Sequence, residues 1–280
     1  MGVEGDVMKL EVKISGLPRD KRNILVMACP EPSLAGVVAV EYLIDALKME
    51  EIGAIRITEM PPVIAVVNGA AKLPYRIFYS REAGIVAIRQ HVPIPPQIYA
   101  EFIRKVLDWA VENKVKLVVC LSAMPAAGDR ESENVYFVTE EGLVEKFKQY
   151  GFEPIKEATV AGLEGAYLDA VLGRGIDGAL LIAESKLLTA IKRLVDSGKI
   201  STHRDVMLIL NDLVGRVGPD VGAALKLINA VARLAETQID TAKLQEHASK
   251  YAFLIEKNLE ALFKPVEAVA AQRREVPLVF

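Results

Sequence analysis

A chain of 280 residues with 34 Lys and Arg against 37 Asp and Glu carries a formal charge of -3, leaving no basic excess to attract nucleic-acid phosphates. Its 51% hydrophobic content and mean hydropathy of +0.25 exclude general disorder and require a large core, a large subunit interface, or both. No window supplies the roughly 18 uncharged apolar residues of a membrane span, and the acid-first opening MGVEGDVMKLEVKISGLPRD lacks the continuous apolar stretch of a secretory signal. The expected setting is the cytoplasm, with neither nucleic acid nor membrane as partner.

Residues 1–22 are expected to form an N-terminal arm. The run NILVMAC, stopped by Pro30 and Pro32, reads as a buried strand entering a loop. Val37, Val40, Leu43, Ile44 and Leu47 then recur at helical spacing. After Gly53, residues 54–58 read as the second strand of a right-handed βαβ unit, which predicts a parallel pair. Three closely spaced strand candidates follow, 63–67, 75–79 and 84–91, with turn signals such as Asn68-Gly69 between them, so this middle section is expected to run antiparallel. A helix from Pro96 to about Asn113 leads into VKLVVCLS, continuous and β-branched as a central parallel strand should be.

The loop after that strand, residues 123–133, is where an open α/β sheet places a ligand or partner. Val135–Val138 adds a strand, Thr139 is a candidate cap for a helix over 140–150, and Gly151 closes that helix. A short helix over 162–173 and the strand GALLIA over 178–183 complete an α/β core spanning 23–185. From 186 to 264 every apolar pattern has helical period. Ser201 or Thr202 can cap one helix, Pro219 stands in the first turn of another, and Asp240 or Thr241 can cap a third. The tail, residues 265–280, ends in five apolar residues, and an apolar free terminus needs a partner or a groove.

Chemical signatures are sparse. His91, His203 and His247 show no metal-ligand spacing. Cys29 and Cys120 close separate apolar runs and read as buried thiols rather than a disulfide framework. No phosphate-binding glycine motif or nucleophile elbow occurs. Asp129, Glu131 and Glu133 could form a carboxylate pair but suit a solvated loop better. Glu41 reads as the polar face of its helix, and Gly36 either helps to hold an anion at a helix N-terminus or lets that helix approach the sheet, the second being favoured.

Taken in order, NILVMACPEPSLAGVVAVEYLIDALKMEEIGAIRI, PPVIAVVNGAAKLPYRIFY, DWAVENKVKLVVCLSAMP, VAGLEGAYLDAVLGRGIDGALLIAES and QIDTAKLQEHA resemble the PAC2 family of proteasome assembly chaperones, its archaeal members in particular. The resemblance implies a mixed sheet with flanking helices, similar to nucleoside phosphorylase and hydrolase cores but lacking their active sites, plus a C-terminal helical extension. It also implies a homo-oligomer that binds proteasome α subunits without catalysis and without a cofactor or metal. Some members dock through a C-terminal hydrophobic-Tyr-any tripeptide, which here is Leu278-Val279-Phe280. Leu278 matches, Phe280 supplies the terminal carboxylate, and Val279 stands where the tyrosine belongs. The same tail could instead fold back on its own oligomer. A phosphorylase- or hydrolase-like enzyme using the loop after Ser122, and a proteasome activator, are the competing expectations.

Overall fold

The computed structural model describes residues 8–12, 23–57, 62–128, 131–172 and 174–263. The strands are β1 (Met8–Val12), β2 (Ile24–Ala28), β3 (Glu50–Ile57), β4 (Ala65–Val67), β5 (Ala70–Lys72), β6 (Tyr75–Ser80), β7 (Ile85–Gln90), β8 (Leu117–Pro125), β9 (Val135–Thr139), β10 (Glu153–Pro154) and β11 (Asp177–Ser185). All but β4 and β5, which pair as a separate hairpin, join one sheet in the order β1-β3-β6-β7-β2-β8-β11-β9-β10. Its centre is four successive parallel strands, β7, β2, β8 and β11. Because both faces of these strands are covered, their sequences are continuously apolar instead of alternating.

The helices are α1 (Ala35–Ala46), α2 (Tyr99–Glu112), α3 (Val144–Gln149), α4 (Gly162–Val171), α5 (Lys186–Asp196), α6 (His203–Val217), α7 (Val221–Leu234) and α8 (Ala242–Phe263). Successive strand residues point to opposite faces, which divides the core in two. Ile24, Val26, Val119, Leu121 and Leu181 pack with α1 and α7 on one face. Leu25, Met27, Val118, Cys120 and Leu180 pack with α2 and α4 on the other. A smaller cluster joins α5, α6 and α8 through Leu187, Ile191, Leu210, Leu213, Tyr251 and Ile255. This is the mixed α/β architecture expected from the sequence.

Four local expectations are corrected. Strands β2 and β3 are not paired: β7 and β6 lie between them, because Ile85–Ile88 takes the parallel position beside Ile24–Met27 and β6 returns antiparallel to β3. Thr139 caps no helix. Its hydroxyl donates to the Gly178 carbonyl at 2.6 Å, and α3 starts later, after a 3-10 turn over Glu141–Leu143, without a side-chain cap. Pro219 precedes the first turn of α7, where Asp220 is the cap and accepts from the Ala223 N–H at 3.0 Å. Finally, Cys29 and Cys120 form a disulfide instead of two thiols.

That bond follows from register. Met27 lies opposite Cys120, so Cys29, two residues further along, is its diagonal neighbour on the same face. The two Cα atoms are 6.2 Å apart, within disulfide reach, and neither residue is exposed to solvent. A separation of 91 residues hides the pairing from any local pattern. Closing so long a loop removes chain entropy from the unfolded state, and a native disulfide typically contributes about 2–4 kcal/mol. Peptide mapping without reductant is expected to recover the linked Cys29 and Cys120 peptides, and Cys29→Ala/Cys120→Ala to unfold in guanidinium with stability lower by about that amount.

Candidate functional site

The carboxyl ends of parallel strands are where open α/β sheets bind ligands, and here that edge is filled by the chain itself. After β2 the chain turns through Glu31 into α1. The Glu31 carboxylate accepts from the Ser33 N–H at 2.5 Å and the Ala35 N–H at 2.7 Å, so the anion held at this helix N-terminus is the protein's own side chain. Burial pushes its pKa up, and the hydrogen bonds from Ser33, Ala35 and Gly36 oppose the shift without cancelling it. At Gly36 a Cβ would stand 2.4 Å from the Leu121 carbonyl oxygen. The glycine therefore allows α1 to lie directly on β8, as the packing expectation required.

The loop after β8 is anchored in the same way. The Ser122 hydroxyl donates to Glu164 at 2.9 Å. The Ala126 N–H donates to the Thr189 hydroxyl at 2.8 Å, and the Ala127 and Ser132 N–H groups donate to the Glu184 carboxylate at 3.3 and 2.6 Å. Lys226 of α7 donates to the Ser132 carbonyl at 2.5 Å. Asp220 accepts from the Ser185 hydroxyl at 2.7 Å and the Leu187 N–H at 3.3 Å, besides capping its own helix. Glu31, Glu184 and Asp220 are thus engaged by main-chain donors that a substrate would have to displace. Of the loop acids, Asp129 lies outside the described residues, Glu131 is half-buried and Glu133 is exposed beside Lys226.

A second polar cluster lies on the α1 face of β6 and β7. Arg76 and Arg89 are directly opposed, an arrangement that repels unless countercharges are supplied. Glu51 pairs with Arg76 at 3.0 Å and Lys72 at 3.3 Å, while Glu41 and Asp45 of α1 pair with Arg89. Both guanidiniums stack on Phe78, 5.2 and 5.0 Å from its centroid. Arg76 also meets His91 Nε2 at 2.8 Å. Arginine can only donate, so this nitrogen is the acceptor and the ring is neutral. Burial and the neighbouring Arg76 and Arg89 lower the His91 pKa, against the pull of Glu41. Glu41 is therefore the polar face of its helix with a specific partner, and His91 is part of an ion-pair network.

The three histidines are not brought together: His91 follows β7, His203 begins α6, and His247 is exposed on α8. Among the described residues no group of three or more His, Cys, Asp or Glu could hold a metal ion, and no helix is long and apolar enough to cross a membrane. Leu278, Val279 and Phe280 lie outside the described residues. Large apolar side chains are nonetheless exposed, among them Met207, Leu208, Phe253 and Leu254 in the helical region, Val63, Ile64 and Val66 at the β4–β5 hairpin and the segment before it, and Val111, Leu172 and Val195 near the ends of α2, α4 and α5. The hydrogen-bonding roles of Glu31, Glu184 and Asp220 were not read from sequence, since each acid acts through residues distant in the chain or through the fold of its own turn.

The model of the PAC2 family matches residues 25–259. No curated protein matches the sequence. Among solved structures, Pyrococcus furiosus PbaA, described as an archaeal homolog of proteasome-assembly chaperone, is similar at 17% identity and TM-score 0.68, covering 96% of this chain and 98% of that one. Pyrococcus furiosus PbaB, described as an archaeal proteasome activator, is similar at 20% identity and TM-score 0.65, covering 89% and 98%. A Mycobacterium tuberculosis proteasome-assembly chaperone homologue is similar at 18% identity and TM-score 0.56, covering 86% and 96%.

Glu31→Ala strips the acceptor from two buried amides and is expected to lower stability by about 1–3 kcal/mol in guanidinium unfolding. With its native pKa raised above the unfolded value, the ionisation of Glu31 costs stability as pH rises through the native pKa, so Glu31→Gln should flatten that part of the stability–pH curve. His91 has the opposite sign, because its native pKa is lowered. Its contribution is complete above the unfolded value of about 6.5 and is lost as pH falls below it. NMR titration of the ring should show a midpoint below 6.5 that moves up in Arg76→Gln.

Proposed function

The chain belongs to the PAC2 family, and on that premise we propose that it acts without catalysis as an assembly chaperone or adaptor that binds proteasome α subunits. The observation that carries the reading is the family match over residues 25–259. The similarity to PbaA, a homolog of proteasome-assembly chaperone, and to PbaB, a proteasome activator, supports a proteasome-related role. The carboxyl edge of the sheet adds support from chemistry. A phosphorylase- or hydrolase-like enzyme needs convergent, available polar groups in a pocket there, whereas Glu31, Glu184 and Asp220 hold backbone amides.

The contact we propose is the C-terminal Leu278-Val279-Phe280, presented by a cytoplasmic homo-oligomer. Leu278 is the apolar anchor, and the Phe280 carboxylate is the charged end, suited to a lysine on the partner. Val279 lacks both the aromatic area and the hydroxyl of tyrosine, so the tail as it stands binds more weakly than a hydrophobic-Tyr-any end. An activator role is the second reading, favoured by the PbaB similarity. It differs in requiring that the protein open the mature particle.

Light-scattering titration of purified archaeal proteasome α subunits is expected to show a complex with the full chain and none with a chain lacking residues 277–280. Val279→Tyr should tighten the complex by roughly tenfold, the scale of one buried aromatic anchor. Binding by both forms would move the contact to the folded body, and binding by neither would remove the α-subunit assignment. Stimulated peptide hydrolysis by the mature proteasome would select the activator reading.

A further inference from the structure

The sequence of α6 is apolar without a break over residues 206–210, VMLIL, which is more than one face of a helix can bury. Its inner side is already used. Leu210 and Leu213 join the cluster with α5 and α8, and Val206, Ile209, Val214 and Val217 pack against that cluster. Met207 and Leu208 fall on the other side and stay open to water, Leu208 at 58%. On α8, which packs beside α6, Phe253 is 66% exposed and Leu254 is exposed as well. A helix apolar on both sides is a helix covered on both sides, and large apolar side chains left open on neighbouring helices mark an interaction surface.

We propose that this face is a contact between two copies of the chain, packed α6 against α6 about a two-fold axis at Leu208. The argument for a second copy is charge. Arg204 and Asp212 stand four residues before and four after Leu208, both exposed, and each lies within about 40° of it around the helix. A two-fold axis sets the partner's α6 antiparallel, so a residue four before the axis comes level with the one four after it. Arg204 then meets the partner's Asp212, and Asp212 meets the partner's Arg204. The face is its own complement, whereas a parallel pair would bring like charges level. Both groups are available. Among the described residues Arg204 has no ion-pair partner, and Asp212 holds Arg216 of its own helix through Oδ1 at 2.9 Å, which leaves Oδ2 for an incoming guanidinium. A foreign partner gives no reason for opposite charges to flank the most exposed apolar residue of α6 symmetrically. One helix pair is narrower than the roughly 800 Å² per partner of a stable interface, so Phe253 and Leu254 on the adjoining helix belong to the same surface.

This interface gives the proposed homo-oligomer its contact and rests on that reading, but its test contains no proteasome. Sedimentation equilibrium of the full chain is expected to show a dimer or a multiple of one. Leu208→Glu, which sets two carboxylates at the axis, should weaken self-association by about tenfold or more. Arg204→Glu and Asp212→Arg each put like charges at both contacts, and each alone should weaken it by about tenfold, with a larger effect at low salt. Mixed in equal amounts, these two variants should associate again, because the mixed pair has opposite charges at both contacts. That recovery also shows that both variants are folded. A monomeric unaltered chain overturns the interface and the homo-oligomer reading together. An unaltered oligomer whose strength all three variants keep overturns the α6 contact alone. Weakened single variants that the mixture does not restore overturn the two-fold pairing of Arg204 with the partner's Asp212.

Discussion

The seat of α1 on β8 is the contact on which the rest of the structure depends. Gly36 brings the first turn of α1 against the Leu121 carbonyl, the same oxygen that accepts the Cys29 N–H at 2.9 Å. A helix this close leaves no room for a ligand between its N-terminus and the strand, and the Glu31 carboxylate satisfies the amides that would otherwise be orphaned there. The Ser33 carbonyl in that turn then accepts the Asp220 N–H at 2.8 Å. Asp220 in turn caps α7 and holds the start of α5 through Ser185 and Leu187. One tight loop thus orders the sheet edge and two of the helices that follow β11.

The burial of charge in this joint explains its rigidity and its cost. A carboxylate taken out of water is tolerated only when donors replace its hydration, and Glu31 has those donors without recovering its full preference for the charged form. Tyr251 of α8 stands near enough to both acids that burial, Asp220 and Glu31 all raise its pKa. The helical layer therefore packs beside two buried acids held by main-chain amides and the Ser185 hydroxyl. At the Arg76–Arg89 pair the solution is different: opposite charges from β3 and α1 neutralise two cations that strand register forces together. The first site holds its acids with hydrogen-bond donors, and the second balances its cations with opposite charge.

Much of this fold was legible because its central strands are buried on both faces. A run such as LVVC has no polar alternation to confuse, and it was read as a central parallel strand, which β8 is. The helices after Ser185 were legible from periodicity, and Thr202 is indeed a cap. Three of the four failures share one cause, partners distant in sequence. That β7 would displace β3 from beside β2 depends on hairpin pairing, Thr139 was claimed by the Gly178 carbonyl, and Cys29 met Cys120 only because their strands are neighbours. At the candidate site, glycine packing was readable from Gly36 in its loop, while the acceptor roles of Glu184 and Asp220 were not, since their donors lie on other elements. The tail residues were legible as an apolar terminus and nothing more.

The carboxyl edge of this sheet is filled by hydrogen bonds of the chain's own Glu31, Glu184 and Asp220, and exposed apolar side chains lie elsewhere. Binding by such a sheet has to use surfaces that the core does not consume. Here those are apolar: Leu208 and Phe253 on the helices, Ile64 and Val66 beside the hairpin. The disulfide inside the sheet strengthens the same division, because cross-linking β2 to β8 stiffens the centre without touching any exposed element. Buried disulfides are rare in reducing compartments outside hyperthermophiles, and this one ties two central strands directly. A core cross-linked at its centre and covered on both faces leaves the exposed elements free to vary without disturbing the parallel strands beneath them.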